Sequence, residues 1–280
     1  MPESCASPRY EEFAPPGGLA GFVACFWSFS IPRAAPGFEH AVVPDGTVSL
    51  VFIPQQPGAR RLIVSGPRTE ALKMKVNPGD LFCGARLLPG ASRPLLGIAP
   101  APLRDRVAPL EEMAPELARK MSRELEPVKT SGRCFAIMER HLTGLARGAE
   151  AIDQVVTSAA ARLLEADGNA RIADTAEDIG LSERQLRRRF YRAVGLTPKE
   201  FARAVRIRCA CIRIAAPERA GLAAIAHGAG YADQAHLSRE FARVFGSTAG
   251  GVSALLRGFE HGEIREQTMS VLFKTGSPRT

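Results

Sequence analysis

Apolar positions recur every three or four residues between residues 152 and 257, which is the period of amphipathic helices. Within this region, residues 186 to 195 (LRRRFYRAVG) are echoed by residues 237 to 246 (LSREFARVFG), where Leu, Arg, Phe and Gly each recur 51 residues later. The Leu and the Phe are four positions apart and therefore share one buried helix face, so the Arg between them points elsewhere. The pattern predicts one helical unit that occurs twice.

Each copy is preceded by a small residue and, four positions later, by a glycine. These pairs are Ala176 with Gly180 and Ala226 with Gly230. A helix-turn-helix needs a small residue where its helices press together, a glycine at the turn, and a second helix that can enter a major groove. The sequence therefore predicts two helix-turn-helix units.

Three residue pairs around the first unit have the spacing of a helix capping box. They are Asp174 with Glu177, Ser182 with Gln185, and Thr197 with Glu200. The third, with Pro198 at the first helical position, predicts a long helix from 198 to 215 that joins the two units. We expect Arg203, Arg206 and Arg213 of that helix to face solvent or phosphate.

The N-terminal half has the short period of β-strands. Runs rich in β-branched and aromatic residues occupy 22–31, 40–53, 60–65 and 81–88, and Pro-Gly or similar turn formers separate them. This pattern predicts an antiparallel barrel or sandwich of about 100 residues. The helical period then returns at 110–126 and 133–147. The apolar stripe on the latter helix must be covered either by the chain's own barrel or by a second subunit.

These patterns predict an α+β chain of two domains. The predicted divisions are a mobile segment (1–18), a β domain with helices (19–148), a double helix-turn-helix domain (150–258) and a C-terminal tail (259–280). A chain of 280 residues is long enough for two such domains.

The formal charge of +8 is concentrated in one stretch. Residues 184–213 hold ten basic side chains and only one acidic side chain, Glu200. Such a local basic block is typical of a surface that binds a polyanion, although a solvated helix face is the plainer interpretation.

The six cysteines show no regular spacing, which is typical of a reduced cytosolic protein. Neither a signal peptide nor an apolar run long enough for a membrane span is visible, so a cytoplasmic location and no membrane partner are predicted. Before residue 141 the one histidine is His40, which makes a cupin-type metal site improbable. We predict no catalytic residue, no metal and no cofactor.

A small-molecule pocket in the β domain is a weaker hypothesis. Trp27, Phe29, Cys25 and Cys83 are its candidate lining residues. Aromatic and cysteine side chains in a small barrel are more often ordinary core, and we favour that interpretation.

Residues 152–257 resemble the DNA-binding domain of the AraC/XylS family of transcriptional regulators. The matching stretches are AEDIGLSERQLRRRF, VGLTPKEF, VRIRCA and IAHGAGYADQAHLSREF. The N-terminal part resembles an uncharacterised cupin-like β domain of some of these regulators, through VVPDGTVSLVF, LIVSGPRTE, FCGARLLPG and PLRDRVAPLEEM. After the final Gly the family has Thr-Pro, whereas this chain has Ser247 and Thr248.

The resemblance implies a sequence-specific regulator that binds double-stranded DNA in two successive major-groove segments, about 34 Å apart. By position in the motif, the candidate base contacts are Arg184, Arg187, Arg188, Gln234, His236 and Arg239. Arg188 and Arg239 have a rival interpretation as phosphate clamps or as ion-pair partners within their own units. The candidate phosphate contacts are Ser182, Thr197, Lys199 and Ser238.

The same resemblance implies a sensing and dimerising N-terminal domain, which gives a homodimer with a small-molecule effector. It also implies contact with RNA polymerase if the protein activates transcription, and a nucleoid-associated location. The alternative is a DNA-repair or DNA-modifying protein with a reactive cysteine. That alternative requires an activated thiol, which the settings of Cys25, Cys83 and Cys134 do not offer.

Overall fold

The computed structural model describes residues 8–56, 58–215, 220–248 and 250–252. An N-terminal antiparallel β domain with helices precedes an all-helical C-terminal domain, which confirms the predicted α+β class. The strands are β1 (Arg9–Phe13), β2 (Val23–Ser30), β3 (Phe38–Val42), β4 (Ser49–Phe52), β5 (Leu62–Ser65), β6 (Leu72–Val76), β7 (Leu81–Leu87) and β8 (Val107–Pro109). The helices are α1 (Ser92–Leu96), α2 (Leu110–Met113), α3 (Pro115–Leu125), α4 (Ser131–Ala146), α5 (Gln154–Glu165), α6 (Ile172–Asp178), α7 (Glu183–Val194), α8 (Pro198–Ala215), α9 (Leu222–Gly228) and α10 (Gln234–Phe245).

The β domain contains a six-stranded sheet in the order β1-β2-β7-β4-β5-β8 and a two-stranded sheet of β3 and β6. The described neighbours in both sheets are antiparallel. Because side chains alternate along a strand, the large sheet has two apolar faces. Phe26 and Leu50 lie in the core under the helices, whereas Phe29 and Val51 lie in the core that includes residues of β3 and β6.

The apolar stripe of α4 is covered by its own β domain. Cys134, Met138 and Leu142 are fully buried in the same core as the sheet residues Cys83 and Leu87. The alternative in which a second subunit covers this stripe is therefore wrong. This helix gives no support to the predicted homodimer.

The start of the chain is more ordered than the sequence pattern predicts. Residues 9–13, inside the segment predicted to be mobile, form β1 and pair with β2. The reason is a contact with a distant residue, since Arg86 of β7 donates to Glu12 Oε1 (2.6 Å) and to the Tyr10 hydroxyl (3.0 Å). A buried guanidinium needs such partners, and β1 supplies them.

Two further strands were not predicted from the apolar pattern. β6 alternates lysines with apolar residues (LKMKV) and pairs with β3, while β8 has only three residues. The run from 40 to 53 is not one strand but two, β3 and β4, because residues 43–48 form a loop with Gly46 at φ +72°. That conformation favours glycine over other residues.

The helical domain consists of α5, two helix-turn-helix units (α6-α7 and α9-α10), and α8 between them. The small residues Ala176 and Ala226 are buried in the cores of their units. Gly180 and Gly230 adopt φ values of +70° and +77° at the two turns. The duplicated architecture predicted from the sequence is confirmed.

Two of the three predicted capping boxes form. Gln185 N and Ser182 Oγ are 3.4 Å apart and Ser182 N donates to Gln185 Oε1 at 2.9 Å, and Thr197 and Glu200 make the equivalent bonds at 3.3 and 2.8 Å. The box predicted for Asp174 and Glu177 is wrong. Helix α6 begins at Ile172, so both residues lie inside it, and Asp174 pairs with Arg171 at 3.6 Å.

Candidate nucleic-acid interface

Helix α7 presents three predicted base contacts to solvent. Its capping box fixes where the helix starts, and Leu186, Phe190 and Val194 bury the opposite face. Arg184, Arg187 and Arg188 are exposed and form no ion pair with any residue that the structure describes. Their guanidinium groups are therefore available to an external partner.

Helix α10 is capped by Asp233, which accepts a hydrogen bond from His236 N at 2.6 Å. Gln234 and Arg239 are exposed, as a base-reading role requires. His236 is half-buried, and its ring packs edge-on against Tyr231 with centroids 5.2 Å apart. Of the three residues predicted to read bases from α10, His236 is the one held against the protein.

The positions of Arg188 and Arg239 bear on their rival interpretation. In each unit, the residue directly after this arginine in the sequence forms the internal ion pair. Arg189 donates three hydrogen bonds to the Asp153 carboxylate (2.8, 2.9 and 3.0 Å), and Glu240 accepts from Arg203 at 3.1 Å. Arg188 and Arg239 are exposed and have no acidic partner among the described residues, which favours contact with nucleic acid over an internal structural role.

The predicted phosphate contacts fall into two groups. Lys199 is exposed at the start of α8, and Ser238 is half-buried on α10. The hydroxyls of Ser182 and Thr197 lie 2.8 Å from the side-chain oxygens of Gln185 and Glu200, within their capping boxes. These two hydroxyls therefore serve helix starts, where the backbone N–H groups can also face an anion.

Three arginines of α8 contact other parts of the protein. The expectation that they meet solvent or phosphate is wrong for Arg203 and Arg206, which are half-buried, whereas Arg213 is exposed. Arg203 forms a bidentate pair with Glu240 of the second unit (both distances 3.1 Å). Arg206 donates to the Gly168 carbonyl at 2.8 Å and lies over the Tyr231 ring, while Arg213 lies 3.8 Å from Asp167. These side chains tie the first unit to the second.

The basic block of residues 184–213 therefore divides into two equal groups. Five members contact the protein itself: Arg189, Arg203, Arg206, Arg208 and Arg213. The other five are exposed and have no ion pair within the described residues: Arg184, Arg187, Arg188, Arg192 and Lys199. The second group lies along α7 and the start of α8, so it forms one local cationic surface.

The β3-β4 loop of the N-terminal domain docks on α8. Asp45 lies 2.8 Å from Arg86 Nε of its own domain and 3.7 Å from Arg208 of α8. Burial acts to raise the pKa of Asp45, but the two guanidinium groups and the hydrogen bonds from Thr47 outweigh it and lower that pKa. Asp45 is therefore a half-buried, ionised link between the domains.

Three further contacts extend this docking. A Cβ built on Gly46 would lie 2.6 Å from a ring carbon of Phe201, so only a glycine allows this approach. Arg104 pairs with Glu200 at 2.7 Å. The backbone N–H of Ala71 donates to the Val244 carbonyl at 2.9 Å, near the end of α10.

The four residues predicted to line an effector pocket do not share one face of the sheet. Cys83 is buried under the helices, whereas Phe29 and Trp27 lie in the core on the opposite face. Cys25 is buried beside Arg86, whose Nη1 lies 3.6 Å from its sulfur. The indole of Trp27 crosses Gly84, where a Cβ would come within 2.4 Å of the ring.

The thiols are poorly suited to nucleophilic chemistry. The five described cysteines are free and buried, and Cys5 lies outside the described residues. Burial raises the pKa of Cys25 to about 11 and that of Cys209 to about 12, while a hydrogen bond with Cys83 and burial raise that of Cys134. A reactive cysteine needs the opposite shift, so the repair alternative gains no support from these five residues.

Within the described residues, no three His, Cys, Asp or Glu side chains lie close enough together to hold a metal ion. No helix in the same part of the chain is both long enough and apolar enough to cross a membrane.

The fold and the exposed arginines define a two-domain protein with a double helix-turn-helix domain of the nucleic-acid-binding class. Residues 175–253 match the family model of a helix-turn-helix domain, and residues 11–109 match that of a domain of unknown function (DUF6597). The C-terminal domain is an AraC-type helix-turn-helix domain. It supports a DNA-binding transcriptional regulator with double-stranded DNA as its partner.

No curated protein matches the chain. Similar solved structures include ToxT from Vibrio cholerae, at 10% identity and a TM-score of 0.44, covering 83% of this chain and 98% of that one. ToxT with a bound unsaturated fatty acid has 12% identity and a TM-score of 0.45, covering 94% and 100%.

Proposed function

We propose that the protein is a sequence-specific transcriptional regulator that inserts α7 and α10 into successive major-groove segments. The observation that carries the proposal is the division of the basic block. Five basic side chains contact the protein itself, and the five that form no ion pair with described residues lie together on or beside α7. Free arginines on a reading helix suit the two acceptors on guanine, while Lys199 suits phosphate.

The separation of the reading helices depends on more than α8 itself. Arg203 reaches Glu240, and Asn169 lies so close to Gly230 that a Cβ there would come within 1.8 Å of its side-chain oxygen. A rigid separation matters because two helices can read one face of the duplex only when they are about one helical turn apart. We infer that these contacts hold that separation.

The N-terminal domain acts on DNA binding through its contacts with α8. An effector that shifts the β3-β4 loop would act on Asp45 and Arg208 directly. A cleft of about 40 Å³ lies where the domains meet, lined by residues that include Thr69, Arg104, Glu200, Arg203 and Arg243. A cleft of this size has no room for a typical small-molecule effector, since ligand pockets are usually about 300–1,000 Å³. The effector site therefore remains a prediction, because the residues predicted from sequence are divided between two faces of the sheet. The homodimer and the contact with RNA polymerase remain predictions.

The test is selection of bound duplexes from a random pool by the purified full chain at moderate ionic strength. We expect a defined motif, and we expect a variant with Ala at 184, 187 and 188 to lose it. The matched control replaces Arg119, Lys120 and Arg123 of α3, which are exposed and carry the same charge but lie far along the chain from α7. Equal loss in both variants, or no motif for the native chain, would contradict the proposal.

A further inference from the structure

The two reading helices can be compared position by position, because they are related by an offset of 51 residues. Opposite the buried Leu and Phe, four positions spaced i, i+3, i+4 and i+7 share one face of a helix. On α7 this reading face consists of Arg184, Arg187, Arg188 and Tyr191. On α10 it consists of Ala235, Ser238, Arg239 and Ala242. The α7 face carries long side chains, three of them cationic. The α10 face carries three short side chains and a single cation.

The exposure of the two faces is comparable, so the difference lies in their chemistry. All four side chains on the α7 face are exposed, and Tyr191 retains 41% of its surface although it is a large aromatic residue. On the α10 face three residues are exposed and Ser238 is half-buried. Neither face is covered by the part of the chain that the structure describes, so both can approach a duplex.

The remaining charges widen the difference. Arg192 adds a further exposed cation to α7. On α10, Arg243 pairs with Glu240 at 2.7 Å, and Glu240 also accepts from Arg203. Burial alone would raise the pKa of Glu240, but Arg203 and Arg243 lower it by more, so the pKa lies below its usual value. This carboxylate therefore stays charged beside the two arginines. Arg239 is then the one cation of α10 that is free of ion pairs with described residues.

These side chains read bases differently. An arginine can donate two hydrogen bonds to guanine and reject other bases, and each such pair discriminates by about 5- to 150-fold, equivalent to ~1–3 kcal/mol. Alanine offers only apolar contact, which suits a thymine methyl group, and serine accepts several bases. Three arginines on α7 therefore offer three discriminating contacts, whereas α10 offers Arg239 and, at its first position, Gln234, which suits adenine.

We propose that the two units divide recognition unequally, so that α7 selects the sequence and α10 anchors the complex through Arg239 and a small, close-fitting surface. This inference rests on the proposed function. The DNA site it implies is asymmetric. One segment requires guanines at up to three positions, and the other, one helical turn away, requires at most two defined base pairs.

The test uses the native full chain and the best duplex selected from a random pool. Each base pair of that duplex is replaced in turn, and affinity is measured at fixed salt. Arg188→Ala and Arg239→Ala, which occupy equivalent positions, show which segment each helix contacts, because each variant loses discrimination only in its own segment. We expect more positions with losses of 5-fold or more in the α7 segment than in the α10 segment, and two at most in the latter.

A gain-of-function variant adds a second measurement. Ser238→Arg restores on α10 the residue found at the equivalent position of α7, so we expect it to create a new discriminating position in the α10 segment. Equal numbers of discriminating positions in the two segments, or more in the α10 segment, would overturn the inference while leaving the proposed function intact. A native chain that discriminates nowhere would instead overturn the proposed function.

Discussion

The contact between Gly46 and Phe201 allows a sharp test of domain docking. In Gly46→Ala the new Cβ would lie 2.6 Å from one ring carbon of Phe201 and 3.0 Å from the next. The ring cannot retreat easily, because Phe201 is fully buried and packs edge-on against Phe190 with centroids 5.4 Å apart. The substitution therefore forces either the core of the first unit or the β3-β4 loop to move.

Two costs add in this variant. Gly46 has φ +72°, and an alanine in that conformation costs about 1–2 kcal/mol. Overpacking against a well-packed core costs a further ~1–3 kcal/mol. Gly97 isolates the first cost, since it also has φ +72° but has no atom of another described residue within 4 Å of its Cβ position. We expect Gly97→Ala to lose about 1–2 kcal/mol and Gly46→Ala to lose about 1–3 kcal/mol more.

The measurement is the free energy of unfolding from urea titration of both full-length variants, with duplex affinity measured in parallel. Phe201→Leu in the Gly46→Ala background shortens the obstructing side chain, so the pair should show a coupling energy of about 1 kcal/mol or more. If the two alanine variants lose equal stability and the pair shows no coupling, the loop does not press on Phe201. The docking described above would then be wrong.

Three other predictions concern single side chains. Arg187→Ala should change the preferred base at one position. Lys199→Ala should instead weaken binding to all duplexes alike and reduce the salt dependence of the affinity by about one phosphate contact. Binding titrations at several salt concentrations measure both effects. We expect the exposed Tyr191 hydroxyl to donate to phosphate without adding charge, so Tyr191→Phe should weaken all duplexes by about 2- to 10-fold without changing that salt dependence; an altered base preference would contradict this. Burial lowers the pKa of the His40 imidazole to about 4, so as the pH falls this imidazole is protonated in the unfolded chain before it is protonated in the folded chain. The free energy of unfolding should therefore fall by up to about 3 kcal/mol as the pH drops from ~6.5 to 4. Urea midpoints across that range should lose this slope in His40→Phe.

The duplicated unit could be predicted because its signals are local. Leu186 and Phe190 are four residues apart, and so are Leu237 and Phe241, and all four are fully buried as the helical period requires. The turn glycine Gly180 and the capping pair of Ser182 with Gln185 are local signals of the same kind. Once these signals place helix α7, the helical period alone puts Arg187 on its exposed side.

The errors arose where a side chain depends on a partner far along the chain. Arg203 and Arg206 carry the same charge as the arginines of α7, and nothing near them in sequence indicates that Glu240 and Gly168 engage them. β1 was not predicted for the same reason. Tyr10 and Glu12 are polar, and they lie on the inner side of a strand because Arg86, far along the chain, donates hydrogen bonds to both. Composition located the basic block correctly but could not divide it into internal and external halves.

The hydrogen bond from Ala71 to the Val244 carbonyl has a consequence for how this protein can vary. Both groups belong to the main chain, so either side chain can change over generations while the bond persists. Proline is the exception, since it carries no N–H group to donate at position 71. A relative with proline there would have to join its two halves by other means.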